Sequence, residues 1–273
     1  MRCSVGWVLR TSITVRDADV EEVLDVLLAL VPAGIHDRPA GEGMVELAWY
    51  GPRRALPEEL GDLIVTFSSE DAPEDPAGRR RAFGHAVVVA GAVAIRSPDD
   101  PPGPPGLPEV VIEAGHGEFG SGTHPTTRAC LEALLRLEPG GSLADLGCGS
   151  GVLAIVAARM GYAPVVAVDY EPASVEATRR NAARNGAAVR AAQGDLASDA
   201  PPAARSYVAN IPLAIHRHVA ARLPPEAEVV VASGVMTEQA ADAVAAYVAA
   251  GFVMEGHLDE QGWTTALLRR ALA

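Results

Sequence analysis

Apolar and polar positions change period along the chain, and each change predicts a different element. "RTSITV", Arg10–Val15, alternates with period two and predicts a strand. Val20, Val23, Leu24, Leu27, Leu28 and Val31 then recur at helical spacing, with Asp17 or Asp19 as the candidate N-cap. "GMVELAWY" predicts a second strand, "PEELGDL" a short helix and "LIVTF" a closing strand. With a weaker strand near "AGIHD" the order is βαββαβ, a ferredoxin-like α+β pattern over residues 1–75.

The next stretch, "SSEDAPEDPAGRRRAF", is polar and rich in turn formers, and "HAVVVAGAVAIR" follows as a strand pair. "SPDDPPGPPGLP" has six prolines in twelve residues, which excludes helix and central strand and reads as an extended, semi-stiff spacer. Residues 76–108 are therefore expected to link two domains. Across 109–273 apolar strands alternate with Ala-rich helices. Strands are expected near 143–147, 164–169, 188–193, 206–210, 227–233, 252–259 and 263–269, and helices near 126–137, 151–160, 172–185, 213–222 and 236–250. Such alternation builds a doubly wound, mostly parallel seven-stranded α/β sheet. The last two strands are joined too tightly for a helical crossover and must form an antiparallel hairpin.

Charge and composition remove several function classes. All 22 basic residues are arginine, so lysine nucleophiles, Schiff bases and Walker loops are excluded. The formal net charge is −13, and residues 1–75 hold fifteen acids against six arginines, a balance that attracts a basic partner and disfavours nucleic acid. Three widely spaced cysteines, never in a CxxC pair, imply neither a disulfide framework nor a zinc site and suit a reducing cytoplasm. The chain reads as a monomer without a metal or a membrane segment.

The chemistry gathers in three places. After the first strand of the alternating region, "LADLGCGSG" puts Gly147, Gly149 and Gly151 at a strand-to-helix turn, where bare backbone can approach a ligand. A dinucleotide fingerprint would need a third glycine where Val152 stands. GxGxG preceded by Asp145, with Asp169 closing the next strand as a ribose-binding carboxylate, favours S-adenosylmethionine instead. Asp195 in "QGDLA" is a candidate for the adenine amino group, a surface turn being the other reading. In "VANIPL", Asn210 offers a carbonyl that can orient the N–H of an incoming amine. Pro212 leaves the Asn210 and Ile211 carbonyls as further acceptors. In "EFGSGTHPTT", Phe119, Thr123 and His124 can close over the methionine end of the cofactor, while Thr126 or Thr127 caps the next helix. "HRH", His216 and His218, reads as a solvated helical face rather than a metal pair, because positions two apart diverge.

"EFGSGTHPTTRACLEALL", "LADLGCGSGVLAIVAARMGY", "VVAVDYEPASVEATRRNAARNG", "VANI", "SGVMTEQAADAV" and "QGWTTALLRR" together resemble the PrmA family, methyltransferases of the eleventh protein of the large ribosomal subunit. The resemblance covers about 160 C-terminal residues and extends more weakly over residues 10–95. It implies N-methylation of amino groups, on lysine side chains and the α-amine, of a basic ribosomal protein, with the N-terminal domain recognising the substrate. It carries cofactor contacts onto Thr127, Gly147, Asp169 and Asn210. Glu113 and Ala114 stand where the family has aspartate and proline, and Pro212 interrupts the usual continuation of "ANI". A methyltransferase acting on another protein amine, an amide or a small amine is the rival reading, and a non-catalytic cofactor-binding scaffold a further one.

Overall fold

The computed structural model describes residues 7–20, 23–24, 26–27, 36–41, 43–50, 55–57, 60–73, 86–113 and 124–271. The chain divides into two compact units, Met1–Arg79 with His116–Glu118, and Arg80–Gly115 with Phe119–Ala273. Among the described residues, no helix is long and apolar enough to cross a membrane.

The first unit holds a four-stranded antiparallel sheet in the order β2-β3-β1-β4, from β1 (Trp7–Arg16), β2 (His36–Gly41), β3 (Met44–Tyr50) and β4 (Ile64–Pro73). The described residues of α1 (20–27) are helical. The period-two positions Ile13, Val15, Leu47 and Trp49 turn to one face and meet Val23 and Leu27 of α1 and Leu60, all buried. Strand β4 runs six residues beyond Phe67, into the polar stretch expected as loop. It is an edge strand whose backbone pairs with β1 from Trp7↔Pro73 to Val15↔Ile64, so it needs no apolar alternation to form. Of the short helix expected at "PEELGDL", residues 58–59 lie outside the described residues.

The second unit is built on a seven-stranded sheet in the order β10-β9-β8-β11-β12-β14-β13. Its strands are β8 (Leu143–Leu146), β9 (Val165–Asp169), β10 (Val189–Gln193), β11 (Ser206–Asn210), β12 (Val229–Met236), β13 (Phe252–Glu260) and β14 (Trp263–Arg270). The first five are parallel, and β14 pairs antiparallel with β12 and β13, as the short last connection requires. Helices α2 (Pro125–Leu135), α3 (Val152–Met160), α4 (Pro172–Arg184), α5 (Leu213–Ala220) and α6 (Ala240–Ala249) supply the cover. Successive strand residues alternate between two cores. Leu143, Val165, Ala167 and Val208 pack with α2, α3 and α4, whereas Ala144, Leu146, Val166, Val168 and Tyr207 pack with α5 and α6.

A small sheet, β5 (Val87–Val89), β6 (Val93–Arg96) and β7 (Glu109–Val111), adds Val89, Val93, Ile95 and Val110 to the first of those cores. Residues 97–108 do not run as an extended spacer. They fold back so that β7 returns parallel to β6, and Arg96 gathers the fold by bonding the Glu109 carboxylate and the Ser97, Pro98 and Asp100 carbonyls. The backbone approaches itself closely there, since a Cβ on Gly103 would lie 2.7 Å from that of Ala94.

Candidate active site

In a doubly wound sheet the carboxyl ends of the central strands surround the ligand crevice. Strands β9, β8 and β11 are adjacent, so Asp169, the glycine turn and Asn210 end side by side. The glycine turn takes φ values of +75°, +50° and +83° at Gly147, Gly149 and Gly151, open to glycine at no steric cost. Two of the three are also sterically compelled. A Cβ on Gly147 would meet Ile211 Cγ2 at 2.6 Å, and one on Gly151 would meet Thr178 Cγ2 at 2.8 Å.

The carboxylates serve this turn in different ways. Asp169 accepts the Gly149 N–H at 2.9 Å through Oδ2 and the Glu171 N–H at 3.0 Å through Oδ1, leaving lone pairs on both oxygens. Asp145 is fully buried, and its Oδ2 accepts the Ala154 N–H at 3.0 Å. Its Oδ1 has no hydrogen-bond partner among the described residues. Burial pushes the Asp145 carboxyl up to about 7; the Ala154 N–H opposes this and the charge of Asp169 adds to it. Cys148 is buried beside them, and burial, then the Asp145 charge, raise its thiol far above the ordinary range, so it supplies no thiolate.

Helix α4 braces the turn, which nothing in the local sequence signalled. Thr178 donates to the Gly149 carbonyl at 3.0 Å. Asn181 donates to the Ser150 carbonyl at 2.9 Å and the Glu113 carbonyl at 3.1 Å, and accepts the Glu113 N–H at 3.0 Å. Asn185 accepts from Val111 N–H at 2.8 Å and donates back to the Val111 carbonyl at 2.7 Å. Amides at i and i+4 thus present a helix face to the 111–113 backbone as a strand would. Replacing Thr178 by valine, which keeps the shape and removes the donor, is expected to lower stability by about 1 kcal/mol. Cofactor affinity should fall several-fold with it, read by melting and titration calorimetry.

Beside the end of β11, Pro125 occupies the first turn of α2 and holds His124 extended as its N-cap. His124, rather than Thr126 or Thr127, is therefore the capping residue, its Nδ1 accepting the Thr126 N–H at 3.3 Å. The Thr126 hydroxyl lies 2.7 Å from the same nitrogen and accepts the Asn210 Nδ2–H at 3.0 Å. The donor end of the Asn210 amide is thereby engaged, and Oδ1 points the other way. It lies where a Cβ on Gly234 would come within 2.9 Å. The His124 ring also meets Trp263 edge-on at 5.4 Å. Thr127 is buried, and its hydroxyl has no partner among the described residues.

The remaining candidates separate. Asp195 is exposed on the loop after β10, with Oδ1 taken by the Ala197 N–H, which is the surface-turn arrangement. Phe119 and Thr123 lie outside the described residues. The pairing of His216 and His218 on a solvated face is incorrect. His218 is exposed, but His216 is wholly buried between Tyr247 and the Ser233 carbonyl, because α5 turns that position onto the sheet. No cluster of metal-ligating side chains occurs among the described residues.

These residues fit S-adenosylmethionine on two counts: a turn that tolerates no side chain at its close approaches, and orphaned buried oxygens on Asp145 and Thr127. A family model described as ribosomal protein L11 methyltransferase (PrmA) matches residues 102–271. A ribosomal protein L11 methyltransferase of Pelotomaculum thermopropionicum is 42% identical over 176 residues, covering 60% of this chain and 56% of that protein. One of Burkholderia multivorans is 33% identical over 270 residues, covering 92% and 87%. At 40–45% identity the matched stretch spans about half the length of the curated relatives. The crystal structure of a ribosomal protein L11 methylase of Lactobacillus delbrueckii subsp. bulgaricus superposes with a TM-score of 0.58 at 25% identity, covering 68% of this chain and 98% of that one.

Proposed function

Because this chain belongs to the ribosomal protein L11 methyltransferase (PrmA) family, we propose that it transfers methyl groups from S-adenosylmethionine to amino groups of ribosomal protein L11, on lysine side chains and the α-amine. The observation that carries this reading is the orientation of Asn210. Its Nδ2–H is donated to Thr126, so Oδ1 remains as an acceptor at the carboxyl end of the sheet, where an amine N–H needs one.

Gly147, Gly149 and Asp169 would hold the cofactor's nucleoside and Thr127 its amino-acid end, with Asp145 beneath the turn. When bound, S-adenosylmethionine supplies a methyl group already activated by its sulfonium. What remains for the protein is alignment. A lysine amine, with a pKa of about 10.4 in water, must be neutral to attack, and a partly apolar site lowers that value by disfavouring the charged form. Asn210 Oδ1 and the carbonyls of the Asn210–Ile211 turn accept the amine N–H bonds and aim its lone pair, the step that orientation accelerates most. Solvent receives the proton. The first unit, whose strand order supports a ferredoxin-like reading, would recognise the substrate, and its excess of acids suits a basic ribosomal protein.

Intact-protein mass spectrometry of L11 after incubation with enzyme and cofactor tests this. Mass should rise in whole methyl steps with the parent protein, and at least about 100-fold more slowly with Asn210→Ala. An unmodified L11, under conditions where calorimetry shows the cofactor bound, would remove the substrate assignment and leave the cofactor site standing.

A further inference from the structure

Behind the Asn210–Ile211 turn lies a buried polar chain that the methyl-transfer reading does not use. His216 stands on the first turns of α5 with none of its surface exposed. Its Nε2 lies 2.8 Å from the Ser233 carbonyl oxygen, and its Nδ1 lies 2.8 Å from the hydroxyl of Tyr247, also fully buried. A carbonyl can only accept, so Nε2 carries the hydrogen and Nδ1 accepts from the phenol. Burial keeps the imidazole neutral by lowering its pKa to about 4 and pushes the Tyr247 phenol upward. Every donor in the chain therefore points the same way, from Tyr247 through His216 to Ser233.

The same Ser233 carbonyl accepts the Ile211 N–H at 3.0 Å. One of its lone pairs holds the acceptor turn and the other is held by His216, so the two bonds share an anchor. The neighbouring peptide leaves little slack, since a Cβ on Gly234 would lie 2.6 Å from Ile211 N and 2.7 Å from its carbonyl oxygen. A buried imidazole carries a desolvation cost that an apolar side chain of similar size would not. Core packing alone would be served better by phenylalanine or leucine.

We propose that His216, backed by Tyr247, is a positioning residue for methyl transfer, fixing the Ser233 carbonyl and through it the Asn210–Ile211 turn that receives the amine. This rests on the reading of that turn given above. Chains of aligned hydrogen bonds polarise one another in a low-dielectric interior. His216 therefore acts on the direction and stiffness of the turn, without touching substrate or cofactor.

Three variants test it, with kcat and KM for methylation of L11, cofactor Kd by calorimetry, and Tm measured for each. His216→Phe, which keeps a ring and loses the donor, should lower kcat by about 10- to 100-fold while Kd for the cofactor stays within about twofold. KM for L11 should stay within about threefold. His216→Gln, whose amide N–H reaches toward the same carbonyl, should recover at least about a third of parental kcat although it packs no better. Tyr247→Phe leaves the imidazole in place and removes only the hydroxyl that donates to Nδ1, and should cost about three- to tenfold in kcat. Equal kcat in the Phe and Gln variants, or kcat losses that follow Tm across all three, would overturn the proposal. Should His216→Phe fail to fold, an unchanged kcat in Tyr247→Phe overturns it alone. A parent protein that binds cofactor and leaves L11 unmodified removes the functional reading, and this proposal with it. An active parent with indifferent variants removes only this proposal.

Discussion

Alanine at position 234 is expected to lower turnover by about 100-fold while cofactor affinity stays within a few-fold. Gly234 holds a φ of +85°, which costs an L-residue about 1–2 kcal/mol. Its surroundings are less forgiving still. A Cβ there would lie 2.6 Å from the Ile211 nitrogen, 2.7 Å from its carbonyl oxygen and 2.9 Å from Asn210 Oδ1. Two of these atoms are backbone and cannot swing aside, so the acceptor turn must shift as a whole. The position lies in the irregular stretch of β12 between Ala232 and Val235, where pairing with β14 slips, so relief also strains that bulge. Overpacking and backbone strain together should lower stability by about 2–4 kcal/mol. Asp169, at the end of β9, lies two strands beyond β11 from this residue and should keep its geometry. Gly256→Ala is the control, since it sits at another strand irregularity with nothing within 4 Å of a new Cβ. Parental turnover in the 234 variant, or cofactor affinity lost in step with turnover, would contradict the account.

Asp145→Asn is expected to melt several degrees above the parent protein at pH 8 and to lose that advantage as the pH is lowered toward 4. The Asp145 carboxyl is raised from 3.8 to about 7, chiefly by burial. Between those values the native state holds a proton that the unfolded chain has released, so stability falls as pH rises through the window and stays low above it. The full loss is a few kcal/mol at one unit per 1.36 kcal/mol. Asparagine keeps an oxygen for the Ala154 N–H and carries no charge to desolvate. His216 has the opposite sign. Its pKa is depressed from 6.5 to about 4, so its stability contribution is present above 6.5 and lost as pH falls through the window. It is common to both proteins and cancels in the comparison. Melting curves from pH 4 to 9 decide the matter, and a difference in Tm that is the same at every pH would refute the assignment of this carboxyl.

How much of this was legible beforehand depended on whether the signal was local. The central strands of the second unit were legible because they are buried on both faces and read as short, largely apolar runs. Leu143–Leu146 and Val165–Asp169 are examples, each buried throughout. Asp145, Asp169 and Asn210 were legible because strand ends and turn residues are written in sequence order. The far half of β4 was not, since an edge strand can be held by backbone bonds alone. The cap at His124 was missed because hydroxyl residues two and three places later looked like better caps, while Pro125 had already set the backbone. The roles of Thr178, Asn181, His216 and Gly234 were illegible for another reason. Each acts on a backbone atom at least seventeen positions away, or directly beside the acceptor turn only after β11 and β12 pair, and no local pattern records that.

The amide face of α4 also sets how this protein ages. Asn185 is followed by Gly186, a pairing in which the glycine nitrogen readily attacks the side-chain carbonyl, closes a succinimide and expels ammonia. In the folded chain both partners are occupied. The Gly186 N–H is donated to Ala183 at 3.1 Å, and the Asn185 amide is tied to Val111 and to the Asn181 carbonyl at 2.8 Å. Hydrolysis of that ring would leave a carboxylate facing two carbonyl oxygens where an NH₂ group had donated, and the Val111 carbonyl would lose its bond to the helix. Deamidation should therefore proceed through the unfolded fraction alone, so that a cofactor stabilising the fold also lengthens the chemical lifetime of a residue it never touches.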